Sequence, residues 1–321
     1  MGNYDLRPME PIPWPEPFNE AGWTFQVKWD GVRMLALWSS QQVQLINRKG
    51  VSRTQQYPEI AQLVTAFPAG TVVDGELVVL AAGKPQFELI LKREQRRQAA
   101  AIRRGMEEFP VTYAVFDMLY WQGKDIRPWP LEARQATLAE NWPDGCSQLH
   151  LVENFPEGKA LYKAVGQLGW EGIVCKRLQS AYRPGKKSTD WRKVKHWRQL
   201  DCAVGGYTLR NGLPSALLLG LYGEKGLVYV GRAASGLKAA DWEALQGFLQ
   251  AAEREQSPFI STVPAEGDRR ICWVEPYLAA KIRFQEWSAD GKLRAPVVLG
   301  FLPVTKADCS LPPGEVPPWL H

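Results

Sequence analysis

Lys28 stands two residues before Asp30 in Val27-Lys28-Trp29-Asp30-Gly31-Val32-Arg33, with a glycine and an arginine close behind. A lysine amine is a nucleophile once it has lost its proton, and neighbouring cations and desolvation promote that loss. Arg33, Arg48, Lys176, Lys187, Lys193 and Lys195 could neutralise phosphate oxygens, and Asp30, Glu76 and Glu171 are carboxylates at strand ends near turns. Attack at a phosphorus needs in-line geometry and neutralised oxygens, which lysines and Mg²⁺ provide. The chain has no GxxxxGK[ST] loop and no GxGxxG, so a nucleotide would have to be held by side chains. These residue types allow phosphoryl or nucleotidyl transfer and leave the choice open.

Other chemistries find less support. His150, His196 and His321 stand far apart, at no metal-ligand spacing, which argues against a zinc enzyme or a histidine-based triad. Cys146, Cys175, Cys202, Cys272 and Cys309 are odd in number and form no CxxC, as expected of reduced thiols in a cytoplasmic protein. No apolar run approaches the roughly 20 residues that span a bilayer. The N-terminus, MGNYDLRPMEPIPWPEPF, lacks the basic flank and apolar stretch of a secretory signal. With 45% hydrophobic and 23% charged residues, 321 residues are expected to form two soluble domains.

A net charge of +5 permits a polyanionic partner without requiring one. Lys92, Arg93, Arg96, Arg97, Arg103 and Arg104 crowd one segment against the single acid Glu94. On one helix, 93, 97 and 104 would form a stripe beside 92, 96 and 103, either a solvated face or a track for phosphates.

Strands and turns must bring the reactive residues together. The first 20 residues are proline-rich and read as chain extended over the surface. From Trp23 to about Lys195, short β-branched or aromatic runs alternate with polar turns. TVVDGELVVL (71–80) reads as two strand-like arms around Asp74-Gly75, and VTYAVFDMLYW (111–121) as a buried strand ending at a Gln122-Gly123 turn. LEARQATLAENW (131–142) has helical spacing, and LYKAVGQLGW (161–170) suits a short helix leading into the strand GIVCKRL. After Asp201, CAVGGYT, ALLLGLYGEKGLVYVGRA and RICWVEPYLAAKIRFQEW read as strands joined by glycine turns, with one helix over 239–255. This set fits a small Greek-key barrel of the OB type. The boundary is expected near 196–201, and the tail LPPGEVPPWLH is expected to be extended or disordered.

Motif order narrows the chemistry. VKWDGVR (27–33), INRKG (46–50), VDGELV (73–78), VFDMLY (115–120), EGIVCKR (171–177) and WRKVK (191–195) occur in that order. The series resembles motifs I, Ia, III, IIIa, IV and V of the covalent nucleotidyltransferases, the superfamily of DNA ligases, RNA ligases and mRNA capping enzymes. One KxDG is weak; six motifs in order are specific. KIRFQEWSADGKLRAPVVLGF (281–301) is similar to the ligase motif VI region, and its EWSADGKLRAP to the ligase component of bacterial end-joining ligase D. The resemblance covers nearly the whole chain except the proline-rich tail. It implies an α+β fold: a nucleotidyltransferase domain (ATP-grasp-like, antiparallel sheets with helices) over 1–198, an OB-fold domain over 199–308 and a tail over 309–321.

Carried over position by position, the resemblance makes Lys28 the nucleophile that attacks the α-phosphate of ATP, with Asp30 orienting it or a metal-bound water. Gln26 stands where the family usually has a glutamate facing the adenine amino group, and an amide oxygen can accept the same hydrogen bond. Arg33 and Arg48 would hold ribose and phosphates, and later the 5′-phosphate of the nick. Glu76 would bind the ribose or a metal, and Phe116 would stack on adenine. Glu171 would help hold Mg²⁺ (or Mn²⁺), while Lys193 and Lys195 would contact the α-phosphate. Lys187 stands where relatives commonly carry an arginine, so a fork becomes a point charge. Arg294 would reach the nucleotide from the barrel domain, with Asp201 near the hinge of that movement. Leu302-Pro303 replaces an arginine common in relatives, leaving pyrophosphate contacts to Arg283 and Arg294. The basic residues from Lys92 to Arg104 become candidate contacts to a DNA backbone.

The expectation is a monomeric, cytoplasmic ATP-dependent DNA ligase that seals 5′-phosphate/3′-hydroxyl nicks in duplex DNA, in repair or end joining, with the end-binding protein Ku as a candidate partner and no membrane. Neither the separate DNA-binding domain of larger ligases nor a polymerase or nuclease module is expected. An RNA ligase or capping-type guanylyltransferase is the rival enzyme, and EWSADGKLRAP argues against capping. A nucleic-acid-binding protein with a decayed transferase domain is the other rival, opposed by intact Lys28, Glu76, Glu171, Lys193 and Lys195.

Overall fold

The computed structural model describes residues 4, 7–39, 42–265, 267, 269–303 and 309–311. The chain divides into two compact units, 1–196 and 197–321. In the first unit the order is β1 (Glu10–Pro13), β2 (Trp23–Val27), β3 (Val32–Trp38), β4 (Val43–Asn47), α1 (Pro58–Val64), β5 (Thr71–Ala81), β6 (Lys84–Pro85), α2 (Phe87–Glu94) and α3 (Ala99–Glu108). It continues with β7 (Val111–Trp121), β8 (Lys124–Asp125), α4 (Leu131–Glu140), β9 (Leu149–Leu151), α5 (Gly158–Gln167), β10 (Gly172–Arg177) and β11 (Lys187–Lys195). Two sheets result, one ordered β1-β11-β10-β2 and the other β4-β3-β5-β7-β8, with β6 and β9 attached.

Alternation along the strands gives each sheet two different faces. In the four-stranded sheet Trp23, Phe25, Ile173, Cys175 and Val194 form one apolar layer that packs with Leu161 and Val165 of α5. The residues between them, Gln26, Val174, Lys176, Trp191 and Lys193, face the other way. In the larger sheet, Met34, Ala36, Val73, Leu77, Val79, Tyr113 and Val115 pack with Ile60 and Val64 of α1 and Ile90 of α2. Its opposite face joins Leu35, Leu37, Val72 and Phe116 to Met9, Tyr182 and Trp191, so this layer lies between the two sheets.

Several elements depart from the expectations. Thr71–Ala81 is one strand, not two arms around Asp74-Gly75. It is paired with β3 and β7 through that stretch, which leaves no room for a turn; the chain reverses instead at Ala82-Gly83, both at positive φ. The basic segment is not one helix. It breaks between α2 and α3, and the Arg93 guanidinium lies buried in the corner, bonded to Glu59 and to the carbonyls of Gln56 and Ile102. The proline-rich start is more than a surface strap: β1 runs parallel to β11, and Met9 is fully buried. Prolines suit it because β1 is an edge strand.

The second unit comprises β12 (Arg198–Arg210), β13 (Leu213–Gly223), β14 (Gly226–Ala233), α6 (Ala239–Ala251), β15 (Glu253–Arg254), β16 (Arg270–Val274), β17 (Leu278–Phe284) and β18 (Val297–Pro303). β12 pairs with β13 on one edge and divides its other edge between β17 and β16. β17 pairs with β18, and a bridge from Ser235 to Val297 returns the sheet to the end of β14, closing a small barrel. Leu217, Leu219, Val228, Val230, Ile282 and Phe284 fill it. The helix stops at Ala251, short of Glu255. Asp201, expected near a hinge, lies inside β12 in the second unit. The proline-rich tail beyond Leu311 lies outside the described residues.

Candidate active site

The inner faces of the two sheets of the first unit enclose a cavity open to solvent. From the four-stranded sheet it takes Gln26, Val174, Lys176, Trp191 and Lys193, and from the facing sheet Arg33, Glu76 and Phe116. Lys28 continues β2 by one residue, its backbone N–H donating to the Gly172 carbonyl at 2.9 Å. Arg48, in the turn after β4, and Pro8, Glu10 and Pro11 complete the rim.

Two glycines of the motifs are there because backbones touch. A Cβ on Gly31 would lie 2.1 Å from the Leu77 carbonyl oxygen, and one on Gly172 would lie 2.1 Å from that of Val194. Gly31 thereby brings the turn after Lys28 against β5, which carries Glu76.

Lys28 is the centre of a charge cluster. Its Nζ donates to Glu171 Oε2 at 2.5 Å, and Lys195 Nζ sits 2.7 Å from Glu171 Oε1. Burial pushes the Glu171 carboxyl up, but the two ammonium groups outweigh it and hold it below the usual carboxylate range. Lys193 is drawn down by burial and by the adjacent charges of Lys195 and Lys28. Glu76 is pushed up to about 7 by burial; Lys28 and Arg33 oppose that shift, and Glu171 and Asp74 add to it.

The other end of the cavity is aromatic. Arg33 is held by both oxygens of Asp74, at 2.6 and 2.7 Å, and its guanidinium carbon lies 4.4 Å from the Phe116 ring centre. Tyr182 donates to the same Asp74 at 2.6 Å and accepts from the Met9 N–H at 2.9 Å. Lys176 lies between two rings, its Nζ 4.1 Å from the centre of Phe116 and 4.2 Å from that of Trp191. The Nζ is buried without a hydrogen bond, and burial brings the amine down to about 7.

Of the residues singled out in the sequence, Gln26, Lys28, Arg33, Arg48, Glu76, Phe116 and Lys193 line this one cavity, and Glu171 and Lys195 bond at its edge. Asp30 and Lys187 do not line it; Lys187 is exposed and opposite Glu10 of β1. Arg33 is committed to Asp74, so the phosphate role expected of it competes with a buried ion pair. Arg294 lies in the second unit, bonded to Glu286 at 2.6 Å. Lys92, Arg97, Arg103 and Arg104 are exposed, and Arg96 is tied to the Ala101 carbonyl and Glu108. Arg93 is 1% exposed and unavailable to a DNA backbone. Sequence reasoning missed Trp191, Trp29 and the N-terminal rim. Trp191 was within reach, because it lies two residues before Lys193 on the same face; the rim had no local signal.

Two carboxylates, Glu76 and Glu171, were expected to bear on a divalent cation. Among the described residues no group of three or more His, Cys, Asp or Glu could hold one. Both oxygens of Glu171 are taken by lysines, whereas Glu76 offers a carboxylate to the cavity. That set does not cage a cation with protein groups alone; Glu76 is the residue here that would hold a hard cation such as Mg²⁺.

Residues 15–195 match the ATP dependent DNA ligase domain family, and residues 210–303 match the ATP dependent DNA ligase C terminal region. The multifunctional non-homologous end joining DNA repair protein LigD of Mycobacterium tuberculosis is 32% identical over 290 residues, covering 88% of this chain and 36% of that protein. The chain thus spans about a third of this relative's length. The SPbeta prophage-derived DNA ligase-like protein LigB of Bacillus subtilis is 29% identical over 283 residues, covering 88% of this chain and 93% of LigB. Among solved structures, a mycobacterial DNA ligase D complexed with ATP and MES is similar at a TM-score of 0.55 and 30% identity, covering 95% of this chain and 98% of that one.

Proposed function

The chain belongs to the ATP-dependent DNA ligases, and on that premise we propose that it uses ATP to seal 5′-phosphate/3′-hydroxyl breaks in duplex DNA through an AMP carried covalently on Lys28. The observation that carries this reading is the Lys28 amine, held by Glu171 beside Lys193 and Lys195 at one end of a cavity with aromatic walls at the other.

In the first step the Lys28 amine, its proton released to solvent, attacks the α-phosphorus of ATP. The N–P bond forms as the bond to pyrophosphate breaks. An oxygen of the DNA 5′-phosphate then takes the AMP and frees the amine. Finally the 3′-hydroxyl, losing its proton, attacks the activated 5′-phosphate and expels AMP, which closes the phosphodiester. Glu171 fixes the amine in place, and Lys193 and Lys195 neutralise charge that grows on the phosphate oxygens. Phe116 packs against the base, and Trp191 helps to wall that end of the cavity. Exposed Arg48, at the rim, suits phosphate contacts first to the nucleotide and then to the nick. A divalent cation bound through Glu76 would supply further neutralisation of the phosphates.

LigD relatives are named for non-homologous end joining. We assign this chain the sealing step of such repair, as a cytoplasmic monomer acting alongside Ku. An end-labelled, singly nicked duplex with ATP and Mg²⁺, resolved on a denaturing gel, tests the reading beside Lys28→Ala. Joined product from the native chain and none from the variant is the expected result. Joining by both would remove Lys28 from the nucleophile's role, and joining of RNA strands alone would move the substrate to RNA.

A further inference from the structure

Three side-chain amides run from the cavity to the backbone of its aromatic wall. Gln26 Nε2 donates to Asn154 Oδ1 at 2.9 Å, Asn154 Nδ2 donates to Gln135 Oε1 at 3.0 Å, and Gln135 Nε2 donates to the Phe116 carbonyl at 3.0 Å. The two ends are buried, Gln26 at 2% and Gln135 at 8% exposure, while Asn154 in the middle is exposed.

A side-chain amide can present either its oxygen or its nitrogen, but a carbonyl can only accept. The Phe116 carbonyl therefore decides the whole chain. It requires the nitrogen of Gln135, which turns the Gln135 oxygen toward Asn154; that requires the Asn154 nitrogen, which turns the Asn154 oxygen toward Gln26. Gln26 must answer with its nitrogen, and its own oxygen is left for the cavity. Reversing any one amide sets two acceptors against each other, an arrangement disfavoured most where water is scarce.

We propose that Asn154 and Gln135 are positioning residues that lock Gln26 as a hydrogen-bond acceptor, so that the cavity selects a purine with an amino group at position 6 over one with an oxo group. This rests on the ligase reading above and deepens it. Gln26 lies opposite Val174 in the β2–β10 ladder and two residues before Lys28 on the same face. A base among Gln26, Val174 and Phe116 would leave its phosphates toward Lys28 and Lys193. Adenine donates from its 6-amino group to the fixed oxygen. Hypoxanthine presents an oxygen there, and the locked amide cannot turn to meet it. The relay also ties the residue that reads the base edge to the backbone of the ring expected to stack on it.

The test is covalent labelling of the chain by α-³²P-ATP, with unlabelled ATP or ITP as competitor, in the native chain, Asn154→Leu and Gln135→Leu. Asn154 is exposed, so its variant should fold, and the melting temperature checks both. ITP differs from ATP at the six-membered ring edge that Gln26 reads. The preference for ATP over ITP should fall by about tenfold or more in each variant, because the freed Gln26 amide can then offer its nitrogen. In Gln26→Glu combined with Asn154→Leu the preference should return, since both carboxylate oxygens accept and no orientation is needed. Variants that label more weakly but keep the native ATP-to-ITP ratio would overturn the relay and reduce it to structure. A native chain that takes no label from any nucleotide would instead overturn the ligase reading, and the relay with it.

Discussion

At Lys176, burial and two aromatic rings pull in opposite directions. Burial favours the neutral amine and brings it down to about 7, while the faces of Phe116 and Trp191 favour the ammonium. For a lysine whose folded pKa lies below its unfolded value, stability is complete above the ordinary 10.5 and is lost as pH falls toward about 7. Lys176→Met should therefore raise the melting temperature at pH 7, by a few degrees for about 1 kcal/mol, and change it little near pH 10.5. Thermal melts at both pH values read the difference; an equal shift at both, or a fall at pH 7, would mean that the rings hold the charge. Glu76 carries the opposite sign. Its carboxyl is raised from 4.5 to about 7, so its stability is present below 4.5 and lost as pH rises through about 7. Glu76→Gln should stabilise the chain at pH 8 and leave it unchanged near pH 4, with melts again deciding.

At the scale of elements, the α2–α3 corner and the Lys28 turn depend on single residues. Arg93 reaches Glu59 and two carbonyls from inside the corner. Its removal would leave the half-buried Glu59 carboxylate unpaired, at a cost of about 1–3 kcal/mol. Arg93→Ala should lower the melting temperature without changing the salt dependence of DNA binding. An altered salt slope with intact stability would return Arg93 to the DNA surface. Gly31→Ala forces a methyl group into the Leu77 carbonyl oxygen. It should cost about 1–3 kcal/mol and slow labelling of Lys28 by ATP, because the turn that follows the lysine must move off β5. Unchanged labelling would mean that Gly31 serves packing alone.

Across the molecule, the positive charge that remains available to a polyanion is narrower than the composition implies. Lys92, Arg97, Arg103 and Arg104 are exposed, whereas Arg93 and Arg134 are buried in ion pairs with Glu59 and Asp117. Replacing the four exposed residues by alanine should weaken duplex binding across sequences. The slope of log affinity against log salt should shrink by about 0.9 for each phosphate that is no longer neutralised. Filter binding over a salt series measures it, and an unchanged slope would place the DNA on another face.

Much of the first unit was legible because its signals are local. Period-two alternation in GIVCKR and WRKVK already separates Val174, Lys176, Trp191 and Lys193 from the apolar layer behind them, and the order of the motifs points to the family that the comparisons identify. What local pattern cannot contain is the partner of a polar group far away in the chain. Arg33 and Asp74 are 41 residues apart, Gln26 and Asn154 are 128 apart, and Met9 and Tyr182 are 173 apart. The sequence by itself determined which side chains share a strand face and which chemistry they suit, since a strand alternates whatever it packs against. Only the tertiary structure decided that Arg93 is a buried tie, that one strand runs through Asp74-Gly75, and which way the Gln26 amide points, because each depends on a hydrogen bond or ladder made between distant segments.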